Sequence, residues 1–343
     1  MRIALVWNGR AGSVADVVPE VVQQRLAESG AEVSVLDIRA DRTAGECARA
    51  ALERGAEIVV AAGGDGTVSG VAAPLVGTSA RLGVLPLGTS NSFAAALGIP
   101  AEVESALALL VAAATPRQAR PVVLGASLDR LLDVAVVRGG AGEMTMVLHC
   151  MVGLHADVIA DTSTEAKQRW GVLAYAASAV KRLAQIDTFA VELQTDHHVV
   201  RCRASAVAAA NLAPFKTVLA HGPSHLLGDD GRLDLTIVAA ETIADAIATG
   251  VHLWRTARQG EPADRDSIGS LSTARVTISA HPVQHVLVDG EPFGTTPITL
   301  ETRPLALRVI ATPAPIAEGP PAEASLIGLP ALEIIPDARS SFS

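Results

Sequence analysis

The chain has 343 residues and a formal net charge of −9 at pH 7. Hydrophobic residues make up 49% of it and charged residues 18%, a composition typical of globular proteins. This length is sufficient for two domains, each with a core of its own. The negative charge argues against a nucleic-acid-binding protein and against a strongly polybasic membrane anchor.

Signals for targeting or for redox chemistry are few. The first residues indicate a strand followed by a turn, without the long apolar stretch of a signal peptide. No run of about 18 apolar residues occurs, so the sequence predicts no transmembrane helix. The cysteines have no metal-binding spacing and are expected to be small buried residues in a reducing compartment. They are Cys47, Cys150 and Cys202.

Strands and helices alternate in the first part of the chain. Apolar runs predict buried strands, and apolar residues at helical spacing predict helices. The expected strands are Ile3–Trp7, Glu32–Asp37 and Ile58–Ala62, and the expected helices are Val14–Ser29, Thr43–Arg54 and Ala101–Ala114. This alternation is typical of a doubly wound α/β sheet.

A glycine-rich turn follows the strand Ile58–Ala62. Its sequence is Gly63-Gly64-Asp65-Gly66-Thr67, and an apolar run with helical character begins at Val68. A strand, a glycine turn and a helix in this order can bring backbone N–H groups close to phosphate oxygens. The turn is neither a Walker A loop nor a Gly-x-Gly-x-x-Gly fingerprint. By itself it predicts a phosphate site or an ordinary tight turn equally well.

A second strand and polar turn follow about twenty residues later. Leu82–Leu87 leads into Gly88-Thr89-Ser90-Asn91, and a helix is expected from about Ser92 to Leu97. Consecutive βα units of a parallel sheet place such turns side by side at the carboxyl ends of the strands. Sheets of this kind bind their ligands at that edge.

The two motifs resemble the hallmarks of the diacylglycerol kinase catalytic domain, which bacterial lipid kinases share with sphingosine and ceramide kinases. They match as Gly-Gly-Asp-Gly-Thr and Pro-x-Gly-Thr-x-Asn-x-Phe-Ala, and a weaker similarity extends from Ile3 to about Thr312. The resemblance implies that ATP lies across the turns of the first domain. The nucleotide-binding residues that it implies are Asn8, Gly9, Gly12, Gly63, Gly64, Asp65, Gly66, Thr67, Gly88, Thr89 and Asn91.

Two roles are open for Asp65. An acid before a helix can accept backbone N–H bonds, whereas the resemblance favours a role in organising the Mg²⁺ that accompanies ATP, directly or through water. The sequence departs from the family at Gly9, which replaces a proline, and at Ser92, where many bacterial members have aspartate. An arginine that is often found a few residues later is also missing, and Ala94–Ala96 occupies that stretch. Serine supplies no charge, which bears on the metal geometry and on the choice of acceptor.

Beyond Pro121 the pattern changes to short strands, several of which alternate apolar and polar residues. This pattern predicts an antiparallel β-sandwich. The expected strands are Val122–Gly125, Arg130–Val137, Met144–Cys150, Thr188–Gln194, Val199–Asn211, Leu233–Val238, Arg275–Ser279, Val283–Val288 and Ala306–Ala311, with helices at Trp170–Ala184 and Ile243–Trp254. The expected domains are a nucleotide-binding domain over 1–120, a lipid-substrate domain over 121–312 and a Pro/Ala-rich tail over 313–343. Whether the tail packs back on the first domain is left open.

Two acidic turns lie in the second domain. The stretch Gly228–Asp234 resembles a turn that holds a structural Mg²⁺ in bacterial members, which implies the Asp230 carboxylate and the Leu227 and Arg232 carbonyls as ligands. An acidic hairpin turn is the alternative. Asp-Gly before Glu291 is a strong hairpin signal, and the resemblance places the catalytic glutamate of the family at Glu291. A carboxylate at that position can remove the proton of an attacking hydroxyl.

The sequence therefore predicts a doubly wound, NAD-kinase-like α/β domain followed by an antiparallel β-sandwich. The predicted activity is transfer of the γ-phosphate of ATP, with Mg²⁺, to a lipid hydroxyl. The acceptor is diacylglycerol, giving phosphatidic acid for phospholipid biosynthesis, or a related lipid alcohol such as sphingosine. An NAD kinase-type enzyme, which shares Gly-Gly-Asp-Gly on a related fold, and a non-catalytic nucleotide- or lipid-binding homologue are the alternatives. The expected location is the cytoplasm, with peripheral association at the membrane surface where the lipid lies; a homodimer is left open.

Overall fold

The chain folds into two compact units. The computed structural model describes residues 1–11, 17–116, 128–153, 188–212, 228–240, 249, 252, 267–312, 325–326 and 328–336. The first unit comprises Met1–Val134 and Pro304–Ile316, and the second comprises Ala135–Arg303 and Ala317–Ser343. The expected strand Val122–Gly125 and helix Trp170–Ala184 lie outside the described residues.

The described elements are five helices and seventeen strands. The helices are α1 (Pro19–Ala27), α2 (Ala44–Glu53), α3 (Asp65–Leu75), α4 (Ser92–Ala96) and α5 (Val103–Ala114). The first eight strands are β1 (Arg2–Trp7), β2 (Glu32–Asp37), β3 (Ile58–Gly63), β4 (Arg81–Pro86), β5 (Asp129–Gly139), β6 (Gly142–Met146), β7 (His149–Gly153) and β8 (Phe189–Thr195). The others are β9 (His198–Ala204), β10 (Ala206–Ala210), β11 (Leu233–Val238), β12 (Ile268–Thr273), β13 (Arg275–His281), β14 (His285–Val288), β15 (Glu291–Thr295), β16 (Ile298–Ile310) and β17 (Glu333–Pro336).

The first unit is built on a parallel sheet with the strand order β2-β1-β3-β4. β1 pairs with both β2 and β3, and β3 pairs with β4, in parallel throughout. The chain passes from β1 to β2 on one side and then returns to β3 on the other, so the strand order reverses between β1 and β3. Such a reversal opens a crevice at the carboxyl ends of the strands. The doubly wound α/β arrangement predicted from the sequence is confirmed.

Local signals set the limits of the helices in this unit. Thr43 and Glu46 form a capping box at the start of α2, in which each side chain binds the backbone N–H of the other residue. α1 begins at Pro19, a residue favoured in the first turn of a helix. Within the described residues this helix covers Pro19–Ala27, whereas the sequence predicts a helix over Val14–Ser29.

The core of the first unit lies between the sheet and the helices α1 and α5. Apolar side chains that are almost fully buried meet there, including Leu5, Leu26, Val60, Leu85 and Leu110. Their burial is the main stabilising contribution to this unit, because removing apolar surface from water is worth about 25 cal/mol per Å². No described helix has both the length and the hydrophobicity that a bilayer crossing requires.

The second unit contains two antiparallel layers, as the alternating pattern predicts. One sheet has the order β12-β11-β10-β7-β14-β15, and the other includes β17-β9-β8-β13 and the first part of β16. A buried apolar cluster includes Val152, Phe189, Leu235, Ile278 and Val288, which come from strands of both sheets. The β-sandwich is confirmed.

Two predicted strands are interrupted in the structure. Met144–Cys150 is divided between β6 and β7 by a turn at Val147 and Leu148. Val199–Asn211 is divided at Ser205, so that β9 and β10 belong to different sheets. Most residues of both stretches are apolar, so the sequence predicts one continuous strand in each case. The two halves of each stretch pair with different strands, and this tertiary pairing divides them.

The end of the chain contributes to both units. The last part of β16 pairs in parallel with β4, which places Pro304–Ile316 in the first unit. β17 pairs with β9 in the second unit, and Leu329 before it is 5% exposed within the sandwich core. The docking of the tail, which the sequence leaves open, therefore involves the second unit.

Candidate functional site

Three turns meet at the carboxyl edge of the parallel sheet. They follow β1, β3 and β4, and the strand register places Trp7 beside Ala62 and Gly63 beside Pro86. The N–H of Asn8 donates to the Ala62 carbonyl at 3.0 Å, and the N–H of Leu87 donates to the Gly63 carbonyl at 3.0 Å. The turns therefore lie side by side, as expected from consecutive βα units. Gly12 of the predicted set lies outside the described residues.

Glycine is required in these turns because the backbones approach one another closely. A Cβ on Gly64 would lie 3.2 Å from the Gly88 Cα. A Cβ on Gly88 would overlap the Gly64 Cα and lie 2.8 Å from Asn91 Oδ1. None of Gly63, Gly64 and Gly88 has a positive φ. The need for glycine at Gly64 and Gly88 thus comes from contact between two turns, and not from left-handed backbone. A Cβ on Gly63 would instead overlap the Thr67 side chain.

Side chains link the first turn to the second. The Asn8 amide donates from Nδ2 to Thr67 Oγ1 at 2.9 Å, and Asn8 Oδ1 accepts the N–H of Arg10 at 3.1 Å. Thr67 is 6% exposed. This bond spans the point between β1 and β3 where the strand order reverses. Asn8 and Thr67 therefore hold the edges of the crevice in place.

Asn91 shapes the third turn. Its backbone is left-handed, with φ 47°, a conformation that asparagine tolerates better than most residues. Its Oδ1 accepts the Gly88 N–H at 2.9 Å, and its Nδ2 donates to the Gly88 carbonyl at 2.8 Å. The side chain thus bonds to both peptide units that flank the Gly88 Cα and fixes the conformation of Gly88.

Asp65 caps a helix other than its own. Its Oδ2 accepts the N–H of Ser92 and its Oδ1 accepts the N–H of Phe93, both at 3.0 Å. These are the first N–H groups of α4, which has no side-chain cap from its own N-cap residue, Asn91. A carboxylate at a helix N-terminus is favourable for charge as well as for hydrogen bonding. Capping is therefore observed, and each oxygen keeps a further lone pair for a cation.

Several backbone donors at this edge point to anion binding. Among the described residues, the N–H groups of Gly64, Asp65 and Gly66 have no acceptor, and neither do those of Thr89 and Ser90. The first three lie at the start of α3, an eleven-residue helix whose N-terminus carries partial positive charge. Two groups of donors on interlocked turns are suited to a polyanion such as a polyphosphate.

The second acidic turn of the second unit is a hairpin turn. Asp289-Gly290 connects β14 to β15, and both residues have positive φ, at 50° and 86°. Glu291 begins β15 and is exposed. The structural interpretation of Asp-Gly as a hairpin signal is correct, and the turn presents Glu291 at the surface of this unit.

The Asp230 turn is only partly described. Asp230 Oδ1 accepts the N–H of Arg232 at 2.9 Å, whereas Leu227 lies outside the described residues. Asp234 follows in β11 and is 8% exposed, and burial raises its pKa to about 7. Within the described ranges, no three His, Cys, Asp or Glu side chains are grouped as a metal site would require.

Models of two known domain families match the two parts of the chain. The model of the diacylglycerol kinase catalytic domain matches residues 2–122, and that of the YegS C-terminal NAD kinase beta sandwich-like domain matches residues 149–311. The chain therefore contains a diacylglycerol kinase catalytic domain followed by a YegS C-terminal beta sandwich-like domain, and it is lipid kinase-like.

Relatives are known in several bacteria. An uncharacterized protein of Synechocystis, sll0036, is 29% identical over 321 residues, which cover 90% of this chain and 69% of the relative. A probable lipid kinase YegS-like of Pseudomonas aeruginosa is 29% identical over 352 residues, covering 94% of this chain and 98% of the relative. The solved structure of a diacylglycerol kinase from Bacillus anthracis has a TM-score of 0.62 at 18% identity, covering 91% of this chain and 97% of that one. At that identity the likeness shows the fold.

Proposed function

We propose that this chain is an ATP-dependent lipid kinase that transfers the γ-phosphate to a lipid hydroxyl. The proposed acceptor is diacylglycerol, with phosphatidic acid as the product, and a related lipid alcohol such as sphingosine is the alternative. The observation that carries the proposal is the pair of interlocked turns after β3 and β4, with free N–H donors beside the helix N-terminus of α3. A nucleotide triphosphate is the polyanion that a kinase of this family would place there.

Asp65 fits a role in holding Mg²⁺. Its oxygens accept only one N–H each, at 3.0 Å, and the side chain is half-buried at the edge of the crevice. Mg²⁺ is commonly held by one or two carboxylates together with phosphate oxygens and water. When bound, the ion would neutralise charge on the phosphates. Two N–H bonds from α4 hold the Asp65 carboxylate in one orientation, which a lone flexible acid would not achieve.

Glu291 is the proposed general base. The acceptor hydroxyl loses its proton to the Glu291 carboxylate as its oxygen bonds to the γ-phosphorus. The bond from that phosphorus to the bridging oxygen breaks, and ADP leaves. The exposure of Glu291 at a strand end is consistent with access by a substrate. Because the acceptor is a membrane lipid, the enzyme would act in the cytoplasm at a membrane surface.

A non-catalytic homologue is the second candidate, and one observation favours it. Ser92 supplies a backbone N–H to Asp65 but no charge, so this position adds no second carboxylate beside Asp65. Such a site would bind nucleotide or lipid without turnover.

The experiment is phosphate transfer from γ-labelled ATP in the presence of Mg²⁺. The acceptors are diacylglycerol, sphingosine and ceramide in mixed micelles, with NAD in a parallel reaction. Asp65→Ala and Glu291→Ala are compared with Glu53→Ala, a control at an exposed glutamate at the end of α2. A labelled lipid in the wild type and the control, lost in both site variants, supports the proposal.

The other outcomes separate the candidates. Labelled NADP would identify an NAD kinase. Folded wild-type protein that binds ATP but labels no acceptor would favour the non-catalytic homologue, and Ser92→Asp would then test whether the missing charge is the cause. Labelled lipid that persists in Glu291→Ala would leave the kinase in place and exclude the proposed base.

A further inference from the structure

The position of Glu291 depends entirely on backbone. The side chain is exposed and has no hydrogen-bond partner among the described residues. Its main chain pairs with Val288 across the hairpin, directly after the turn Asp289-Gly290. Whatever holds this turn therefore also determines where the Glu291 carboxylate can lie. The inference below rests on the proposed function, in which Glu291 is the base.

The Asp289 side chain holds the turn. Its Oδ1 accepts the N–H groups of Leu148 at 2.9 Å and His149 at 3.0 Å, and its Oδ2 accepts that of Val147 at 2.9 Å. The Asp289 N–H in turn donates to the His149 carbonyl at 2.9 Å. Four hydrogen bonds thus join one residue of the hairpin to three consecutive residues elsewhere in the same unit.

A buried aspartate is unfavourable at this position unless its carboxylate accepts hydrogen bonds. Asp289 is 9% exposed, and burying a carboxylate is unfavourable without strong hydrogen bonds. Asparagine before glycine suits a hairpin with left-handed backbone at both turn residues at least as well. The turn conformation alone therefore does not account for an ionisable side chain. The three N–H donors do, because bonds to a charged acceptor are about twice as strong as neutral ones.

The three donors lie where β6 ends and β7 begins. This is the interruption within the predicted strand Met144–Cys150, and the N–H groups at this point are those that Asp289 accepts. β7 also pairs with β14, with Cys150 opposite Val288. Strand pairing thus fixes the hairpin along its length, and Asp289 fixes its tip. Residues separated by 142 positions in the sequence form this contact.

We propose that Asp289 is a positioning residue for Glu291. By anchoring the turn to Val147–His149, it holds the first residue of β15 in one place. The Glu291 carboxylate therefore keeps one orientation towards the acceptor hydroxyl. Asp289 does not itself touch a substrate in this proposal. Its effect passes only through Glu291.

The informative variant is Asp289→Asn. Its amide keeps the shape and the preference for left-handed backbone, but only its oxygen can accept, so at least one of the three N–H groups faces another donor. A displacement of about 1 Å at a catalytic group can lower the rate about 100-fold. We expect kcat to fall by about that factor, with the KM for ATP unchanged because the nucleotide turns lie in the first unit.

A double-mutant cycle separates positioning from general stability. Wild type, Asp289→Asn, Glu291→Gln and the double variant are compared for kcat, for the KM for ATP and for thermal unfolding. If Asp289 acts through Glu291, its replacement lowers kcat in the wild type and has no further effect once Glu291 is glutamine. Asp133→Asn is the matched control. It removes a carboxylate that is 1% exposed and that accepts the Leu305 N–H at 2.7 Å in the first unit.

Two outcomes of the cycle would overturn the inference. One is a further fall in kcat when Asp289→Asn is added to Glu291→Gln. The other is an equal fall in kcat in Asp133→Asn, which would attribute the effect to lost stability. If Glu291→Gln keeps the full rate, Glu291 is not the general base, and Asp289 then has no positioning role.

Amide hydrogen exchange tests the anchor independently of activity. The N–H groups of Val147–His149 should exchange slowly in the wild type and at least tenfold faster in Asp289→Asn, a factor equivalent to about 1.4 kcal/mol. Exchange at the same rate in both proteins would overturn the proposal even if no acceptor is phosphorylated. Faster exchange in a protein that labels no acceptor would place the failure in the proposed function and not in the anchor.

Discussion

The close approach of Gly64 and Gly88 makes Gly88→Ala a severe substitution in the crevice at the carboxyl edge of the sheet. The added Cβ would overlap the Gly64 Cα and lie 3.2 Å from the Gly64 nitrogen and 2.8 Å from Asn91 Oδ1. Carbon atoms in contact are normally about 3.5–4.0 Å apart, so the two turns would have to separate by about 1 Å. The two hydrogen bonds between the Asn91 side chain and Gly88 would be strained by the same movement.

The magnitude follows from this displacement. Overpacking of a tight contact costs about 1–3 kcal/mol. A cost of about 2 kcal/mol corresponds to a fall in Tm of about 4–8 °C for a unit of this size. Because the same turns carry the proposed phosphate donors, transfer from ATP should fall about 100-fold.

The assay is a graded series of three alanine variants. Gly140→Ala is the control, because nothing lies within 4 Å of the added Cβ and the φ of Gly140 is not positive. Gly64→Ala, with its nearest contact at 3.2 Å, should lie between the control and Gly88→Ala. Thermal unfolding and ATP-dependent transfer are measured for each. If Gly88→Ala matches Gly140→Ala in both, the close approach has no role and the argument for these glycines is wrong.

Three further predictions concern other parts of the chain. Asp65→Ala should destabilise the protein by about 1 kcal/mol through the lost cap of α4, measured by denaturant unfolding, whereas Asp65→Asn should keep most of the stability and still lose transfer. Burial raises the pKa of Asp234 from 3.8 to about 7. At pH values between these two, the folded state binds one more proton than the unfolded state, so the stability of the protein falls as the pH rises through this range. In chelator-containing buffer, Asp234→Asn should therefore be more stable than the wild type at pH 8, by up to about 4 kcal/mol, and lose this advantage below about pH 4; equal stability of the two at pH 8 would contradict the shift. The Leu329 side chain is 5% exposed, so Leu329→Ala should lower the free energy of unfolding in urea by about 2–5 kcal/mol if the tail is part of the sandwich core. A loss below about 0.5 kcal/mol, which is typical of a surface substitution, would show that Leu329 does not pack in that core.

Much of the fold could be predicted because its signals are local. The strand Glu32–Asp37 and the strand Leu233–Val238 have the predicted limits, and α2 differs from prediction by one residue at each end. Apolar runs, capping residues and glycine turns act over a few neighbouring residues, so they can be recognised without the tertiary structure. The same holds for the two turns of the candidate site, whose glycines and polar residues follow directly after predicted strands.

The partners of the site residues could not be predicted in this way. Asp65 is predicted as a cap or a metal-associated acid, but that it caps α4, 27 residues later, depends on β3 and β4 being neighbours. Asp289 was recognised only as part of a hairpin signal. Its binding of Val147–His149 depends on β7 lying beside β14. The sequence predicts Met144–Cys150 as one continuous strand and gives no sign of these donors.

The sequence by itself determined the order of elements, the two-domain class and the two glycine turns of the candidate site. Each of these depends on the periodicity and residue type of short segments. The tertiary structure alone decided that Gly64 and Gly88 touch, that β9 and β10 lie in different sheets, and that the end of β16 belongs to the first unit. The physical reason is that contacts between distant segments form only when strands pair and cores close, and local patterns are compatible with many such pairings.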